Sequence, residues 1–377
     1  MRAVSDRFRA RVSNSPRWVT EVRYTNDGWR TSSPATFVDG TATQSALSTV
    51  RWTCDLTLAD VTVGLDGLNG FSTQIRIDHG MKGEPLLPMG VYKVSTTSWS
   101  DAGATVKVKG LSHETYLQAA RFITARTLRP AAASARTAAL IQEVIPGAIV
   151  AWEVDDVYLP GTTVARDRWA FIDGNSSSPS IARSLGARIY AGPNGNWIAR
   201  PVPTLSDEPV WEASSADVLL DFSEELTDEF VYNVVVADGQ STDTDTLPFP
   251  SGIAMDLDPT SPTYVNKPVT QGGFGQKPRF YKSELLRTQQ QAQRAAEGML
   301  APLLGLRQSI SFSQAHNPAL EPGDVGTIHT SAGDRRVLLD ELTYSLTGAP
   351  LTGQTRTTAT TLVGNAYVPA EDPEGVE

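Results

Sequence analysis

Residues 307–346 read RQSISFSQAHNPALEPGDVGTIHTSAGDRRVLLDELTYSL. Ser309, Ser311 and Ser313 alternate with Ile310 and Phe312, the two-residue period of a strand with one buried face. Pro322-Gly323 then marks a turn, Val325 to His329 a second strand, Ser331 to Asp334 a polar turn, and a third strand starts at Arg336. These parts make the wall of a small antiparallel barrel. The same order stands near the N-terminus as RWTCDLTLAD, STQIRIDHG, GVYKVSTTSWS and ATVKVKG. RWTCDLTL matches RQSISFS, IRIDH matches VGTIH, and VYKVSTTSWS matches RVLLDELTYS. Two related barrels in one chain explain the duplication.

A chain of 377 residues has room for about two to four domains, because single cores stop growing before that size. Its 40% hydrophobic and 20% charged content is that of an ordinary soluble protein. No apolar run approaches the roughly 20 residues of a membrane helix. The longest, Leu140 to Trp152, is broken by Gln142, Glu143 and Pro146. The N-terminus has five arginines in its first 18 residues and no apolar core, so a secretory signal is not expected. Cys54 is the only cysteine, which excludes an intrachain disulfide and any multi-cysteine metal site. It falls on the Trp52, Cys54, Leu56, Leu58 face of a strand, where it reads as a small core side chain.

The net charge of −10 is unevenly spread. Between Thr204 and Asn266 there is no lysine or arginine but 14 acids. Asp207, Glu208 and Glu212 lead into Asp217, Asp221, Glu224, Glu225, Asp228, Glu229, Asp238, Asp243, Asp245, Asp256 and Asp258. The rest of the chain is net positive. A one-signed block of this length suits a basic partner surface, a wall to which nucleic acid does not adhere, or a plain solvated face.

In chain order, residues 1–15 form an amphipathic arm with Val4, Phe8 and Val12 on one face, placed to dock on a neighbour. Residues 16–111 make the first barrel, opening with a hairpin that turns at Asn26-Asp27-Gly28 and continuing through a strand near Ala35 to Val38. Residues 112–215 read as a small α+β domain, with helices at Ser112 to Ala119 and, capped by Ser134, at Arg136 to Val144. A strand at Ile149 to Val154 follows, then helical pieces broken at 174–179, then a hairpin ARIYA-GPNG-NWIARPV. Residues 216–240 and 306–363 form the second barrel, with Val231 to Ala237 as one of its buried strands. Residues 241–305 are a loop-plus-helix insertion whose helix lies within Leu286 to Leu304. An acidic tail, 364–377, ends the sequence. The fold class is therefore mainly β, with two related antiparallel barrels, the second discontinuous, and a small α+β domain.

Catalytic patterns are missing. His79, His113, His316 and His329 are scattered, without HExxH or a helical ligand pair. GNSSSP at 174–179 lacks the glycine spacing of a nucleophile elbow, and GGFGQK at 272–277 has neither the hydroxyl nor the preceding strand of a phosphate loop. Asp155-Asp156 and Glu224-Glu225 are adjacent acids of the kind that 42 acids produce by coincidence. Ser241 to Asp245 lacks the glycine and terminal glutamate of a calcium loop. No basic stripe with interleaved aromatics suits nucleic acid, and Trp18, Trp52, Trp169, Trp197 and Trp211 sit in regular elements as core. The expectation is a non-enzymatic chain with no cofactor and no metal.

Two similar barrels, the second split by an insertion, with an α+β domain between them, resemble the baseplate hub proteins of tailed bacteriophages and related injection machines. RWTCDLTLAD, RWAFID, SLGARIYAGPNGNWIARPVP, VYNVVVADG, NPALEPGDV and LLDELTYSL look like a family of minor tail proteins of actinobacterial phages, over about residues 7–356. GNSSSPS at 174–180 departs from that pattern, where such proteins continue a helix. The resemblance implies a homotrimer whose six barrels match the sixfold tail tube to a threefold tip. It also implies a virion tail location, with the tail tube or distal tail protein, tip, spike or fibre proteins and the tape measure protein as partners. DNA would pass through without specific binding, and the acidic residues from Asp217 to Glu229 and Asp238 to Asp258 would line the lumen. A distal tail protein, in a hexameric ring, is the alternative within virion structure; a tail-associated cell-wall hydrolase and a carbohydrate-binding receptor module are alternatives from other classes.

Overall fold

The computed structural model describes residues 1–356 except 15, 65–66, 100–104, 174–179, 186, 204–206, 215–216, 228–230, 240–249, 260, 262, 284–288, 301–306 and 331–332. It is mainly β, as expected. Six strands form the first barrel: β1 (Trp18–Thr25), β2 (Ser33–Ser45), β3 (Trp52–Ala59), β4 (Gln74–Met81), β5 (Leu87–Trp99) and β6 (Thr105–Ser112). They run in the order β1-β4-β5-β6-β3-β2, and β2 closes back on β1, every neighbour antiparallel. Trp52, Cys54, Leu56 and Leu58 point inward with Ile75, Ile77 and Val108, as the alternation predicts. Each large side chain buried this way contributes about 1.5–3 kcal/mol.

β2 is one bulged strand of 13 residues, longer than the expected Ala35 to Val38 piece. Pro34 and Gly40 disguise it in the sequence. Gly40 is required by close approach, since a Cβ there would lie 2.5 Å from the Asp55 carbonyl oxygen.

The chain next forms α2 (Glu114–Ala119), β7 (Arg126–Leu128), β8 (Ala131–Ala132), α3 (Ala133–Gln142), β9 (Val150–Trp152), β10 (Tyr158–Leu159), β11 (Thr162–Val164), α4 (Arg168–Asp173), α5 (Ile181–Ser184) and the hairpin β12 (Ala187–Ala191) with β13 (Trp197–Pro201). Their core gathers Trp169, Trp197, Leu140, Ile141, Ile172 and Ile189. α3 starts before the expected Arg136, and Ser134 is not its cap. Asp156 instead accepts the Ser134 N–H at 3.0 Å and its hydroxyl, a carboxylate at a helix N-terminus supplied from 22 residues away.

The second sheet begins with β14 (Trp211–Ser214) and β15 (Leu219–Thr227). After an excursion through β16 (Val234–Gly239), β17 (Ser251–Met255) and β18 (Pro278–Ser283), it resumes with β19 (Arg307–Gln314), β20 (Val325–Thr330), β21 (Gly333–Ser345) and β22 (Leu351–Arg356). Its order β20-β21-β22-β19 repeats β4-β5-β6-β3, and β15 lies on β19 as β2 lies on β3. β14 takes the place of β1 beside β20 but runs parallel to it, a departure from the expected antiparallel wall. Gly326 makes room there, because a Cβ would lie 2.2 Å from the Trp211 ring. The two sheets are joined edge to edge by an antiparallel ladder from Thr41 opposite Ser345 to Ser45 opposite Glu341.

Two compact units result, residues 1–223 with 311–356, and residues 224–310. In the second, β16 lies between antiparallel β17 and parallel β18, and α6 (Gln289–Leu300) packs on the sheet through Val235, Ala237, Ala254, Ala296 and Leu300. Gln293 holds the edge strand by accepting the Ile253 N–H at 3.2 Å and donating to its carbonyl at 3.0 Å. Val234 to Ala237, within the Val231 to Ala237 stretch expected in the second barrel, therefore belongs to the central strand of a separate three-stranded sheet. An apolar run specifies burial, not which sheet buries it. The acidic tail at 364–377 lies outside the described residues.

Candidate functional surface

Both sheets turn a polar face to solvent, and the β2–β21 ladder makes that face continuous. Thr53, Asp55 and Thr57 of β3 stand beside Thr43, Thr41 and Asp39 of β2; Thr343 and Ser345 of β21 come next, then Thr352 and Gln354 of β22 and Ser311 and Ser313 of β19. Thr43 and Thr343 meet hydroxyl to hydroxyl at 3.0 Å across the join. At its β15 end, Asp221, Ser223, Glu341 and Thr343 line an open groove of about 290 Å³. Lys107 and Lys109 mark the other end, with Lys109 3.7 Å from Asp55 in an exposed and hence weak pair. The face is thus built of short hydroxyls and a few acids, with two lysines at one border. It offers phosphate almost no cation to displace counterions.

Behind the face, the NPALEPGDV segment at 317–325 is a socket. Arg2 inserts into it from the N-terminal arm, with its guanidinium over the rings of Trp52 (5.3 Å) and Tyr344 (5.6 Å). Its Nε donates to Glu321 at 3.2 Å, its Nη1 donates to the Pro318 carbonyl, and its backbone N–H donates to Ala319 at 2.8 Å. The Met1 amine pairs with Asp324. Tyr344 donates its hydroxyl proton to the Leu320 carbonyl at 2.7 Å, and Arg51 donates to that of Pro322 at 2.8 Å. Behind Arg2, α1 (Asp6–Arg11), capped by the Ser5 hydroxyl, buries Phe8 against Met81, Leu87 and Ala319. The arm expected to dock on a neighbour docks on its own chain. The sequence singled out NPALEPGDV but carried no signal that Arg2 fills it.

Of the acids named from the sequence, Asp221, Glu224 and Glu225 stand on β15 and Asp238 on β16. Asp217 and Asp221 belong to the first unit, and Glu224, Glu225, Asp238, Asp256 and Asp258 to the second. Asp221 stands on the polar face, whereas Asp217 is exposed beside Arg9, Trp211 and Gln314. Glu225 and Asp258 are exposed, and Glu224 and Asp238 half-buried. Asp256 is buried, accepting from Thr263 at 2.7 Å and from Ser261, so it shapes a turn and faces no partner. Asp228, Glu229, Asp243 and Asp245 lie outside the described residues. The hydroxyl face was missed, although TATQS, LTYS and LTGQT carry its alternate Thr and Ser.

Two buried carboxyls brace the middle region. Glu114 accepts from Ser112 and, at 2.9 Å, from Ala191, and burial raises its pKa. Asp173 takes the Arg188 Nε and the Ile189 N–H, each at 3.1 Å, yet burial outweighs them and pushes its pKa up to about 6. Among the described residues no three His, Cys, Asp or Glu side chains are placed to hold a metal ion, and no helix is long and apolar enough to cross a membrane.

No protein-family model and no curated protein sequence matches the chain. Solved structures do. A tail protein from Neisseria meningitidis MC58 superposes with a TM-score of 0.59 at 12% identity, covering 93% of this chain and 100% of that one. The 43 kDa tail protein of prophage MuSo2 from Shewanella oneidensis gives 0.58 at 10% identity, covering 90% and 98%. A chain of a PdpA–VgrG complex gives 0.50 at 8% identity, covering 93% of this chain and 66% of the other.

Proposed function

We propose that this chain, which has the fold of phage tail proteins, is a structural virion protein: the hub that joins the sixfold tail tube to a threefold tail tip. The observation that carries the reading is the duplicated strand order joined by the β2–β21 ladder. One chain thereby presents two equivalent wall segments. Three chains present six, which is what a threefold part needs in order to seat on a sixfold tube. The hydroxyl face is the surface suited to a DNA passage, because it gives phosphate little to bind. The tube or distal tail protein above, tip, spike or fibre proteins below and the tape measure protein are the partners this role requires. Within that role the chain is placed with the minor tail proteins of actinobacterial phages, as a non-enzymatic component of the tail tip.

Native mass spectrometry of the purified chain, alone and with the adjacent tail proteins, tests this. A trimer is expected. A hexamer would assign the chain to a distal ring, and a monomer under both conditions would overturn the hub reading.

A further inference from the structure

We infer that copies of this chain join through β15 of one copy and the second half of β5 of the next, in an antiparallel ladder that repeats the internal β2–β21 join. The inference rests on the hub reading for the number of copies, while the contact itself is argued from this chain's own duplication.

Within the chain, β2 of the first barrel pairs through its end, Thr41 to Ser45, with the end of β21, Glu341 to Ser345. In the repeat, β21 is the counterpart of β5, and both run 13 residues. By the match of VYKVSTTSWS to RVLLDELTYS and by the bulges at Ser95 and Asp340, the residues of β5 equivalent to Glu341–Tyr344 are Thr96–Trp99. β15 is the counterpart of β2, since each flanks the equivalent strand, β19 or β3. The chain thus uses a β2-type strand of its first sheet and a β21-type strand of its second, and leaves one of each kind over.

Both remaining strands are ends of pairing among the described residues. β15 is the last strand of the sheet, next to β19. β5 pairs with β4 only as far as Lys93, while its pairing with β6 continues to Trp99, so Ser95–Trp99 has a strand on one side only. Unpaired edges of this kind are templates for another strand. Large apolar side chains stand exposed on both: Leu220 at 59% on β15 and Trp99 at 61% on β5. The charges are complementary. Asp221 and Glu225 are exposed on β15, and Lys107 and Lys109 stand on β6 opposite Ser98 and Thr96. Because the two edges differ, the contact is head to tail and closes a ring, in which internal and intermolecular joins alternate. The partner is a second copy of this chain.

Thr43 and Thr343 face each other in the internal join; the counterpart of Thr343 is Ser98, and Glu225 stands on the β15 edge, on the same face as Asp221 and Ser223. The test is the double variant Ser98→Cys with Glu225→Cys, oxidised as the native oligomer and run on a non-reducing gel, with Thr43→Cys/Thr343→Cys as the intramolecular control. Opposed strand residues suit disulfide geometry. Most of the chain is expected to shift into dimer and trimer bands, each single variant to stop at dimer or below, and the control to close within one chain. A native trimer in which the double variant forms no intermolecular disulfide would overturn this contact and leave the hub reading standing. A chain that stays monomeric with its tail partners would overturn both.

Discussion

The imidazoles of His79 and His316, 237 positions apart, meet Nε2 to Nε2 at 2.8 Å. Thr20 donates its hydroxyl proton to the Leu346 carbonyl at 2.6 Å and lies 2.7 Å from His79 Nδ1, so it accepts the Nδ1–H. His79 Nε2 is then the acceptor for the N–H of His316. Trp18 stacks on His79 at 5.5 Å and meets His316 edge-on at 4.6 Å. This neutral chain ties β1 and β4 to the segment after β19 and the turn after β21.

Stability should fall in acid through this pair. Burial, reinforced by His316 and Arg2, holds His79 down at about 3, and burial holds His316 at about 4. The unfolded histidines titrate near 6.5, so their stabilisation is complete above that pH and is lost as pH falls toward 4. Asp173 opposes the trend, because its raised pKa favours the fold as pH falls from about 6. The comparison between native and His316→Gln chains isolates the histidine part. Urea midpoints from pH 7 to 4 should show the native chain losing about 1 kcal/mol per pH unit more than the variant. Parallel profiles would contradict the account.

Arg2 is buried, with its Nε on Glu321 and its guanidinium between two rings. Arg2→Ala should cost about 3 kcal/mol, since it removes the ion pair with Glu321 and the guanidinium packed on two rings. Phe8→Ala should cost a similar amount and make trypsin cut the arm at Arg7 to Arg17 faster than in the native chain. Unchanged cleavage would mean that the arm is not held by Phe8.

Glycine substitutions separate close approach from turn strain. Gly40→Ala and Gly326→Ala place a Cβ 2.5 and 2.2 Å from neighbouring atoms and should cost about 2–3 kcal/mol each. Gly28→Ala, at φ +69 with nothing within 4 Å, should cost about 1 kcal/mol. Thermal melts of the three variants give the ranking directly.

Cys54 is buried on the barrel's inner face, where burial pushes its thiol well above the usual range. It should resist a thiol reagent at neutral pH until denaturant is added. Prompt labelling of the folded chain would contradict its place in the core.

Periodicity explains which parts were legible. Trp52, Cys54, Leu56 and Leu58 alternate with polar residues, and a half-buried strand leaves no other arrangement. The duplication was legible for the same reason, because the three matched strands kept both period and order. β2 was not, since Pro34 and Gly40 depress strand propensity and neighbouring ladders on both sides compensate. Val234–Gly239 was legible as a buried strand but not in its sheet. The His79–His316 pair and the Arg2 socket depend on contacts across more than 200 residues, and neither leaves a local pattern. Among the candidate acids, a charge count placed Asp256 with Asp221, and only the fold separates a turn-forming carboxylate from a surface one.

The central claim is that the hydroxyl face spanning both sheets is the wall of a channel. A cryo-electron microscopy reconstruction of the oligomer with its tail partners tests it most directly. The account predicts three chains around the axis, with Asp55, Thr43, Thr343 and Ser311 turned toward the lumen. Those side chains on the outer surface, with another face toward the axis, would contradict it.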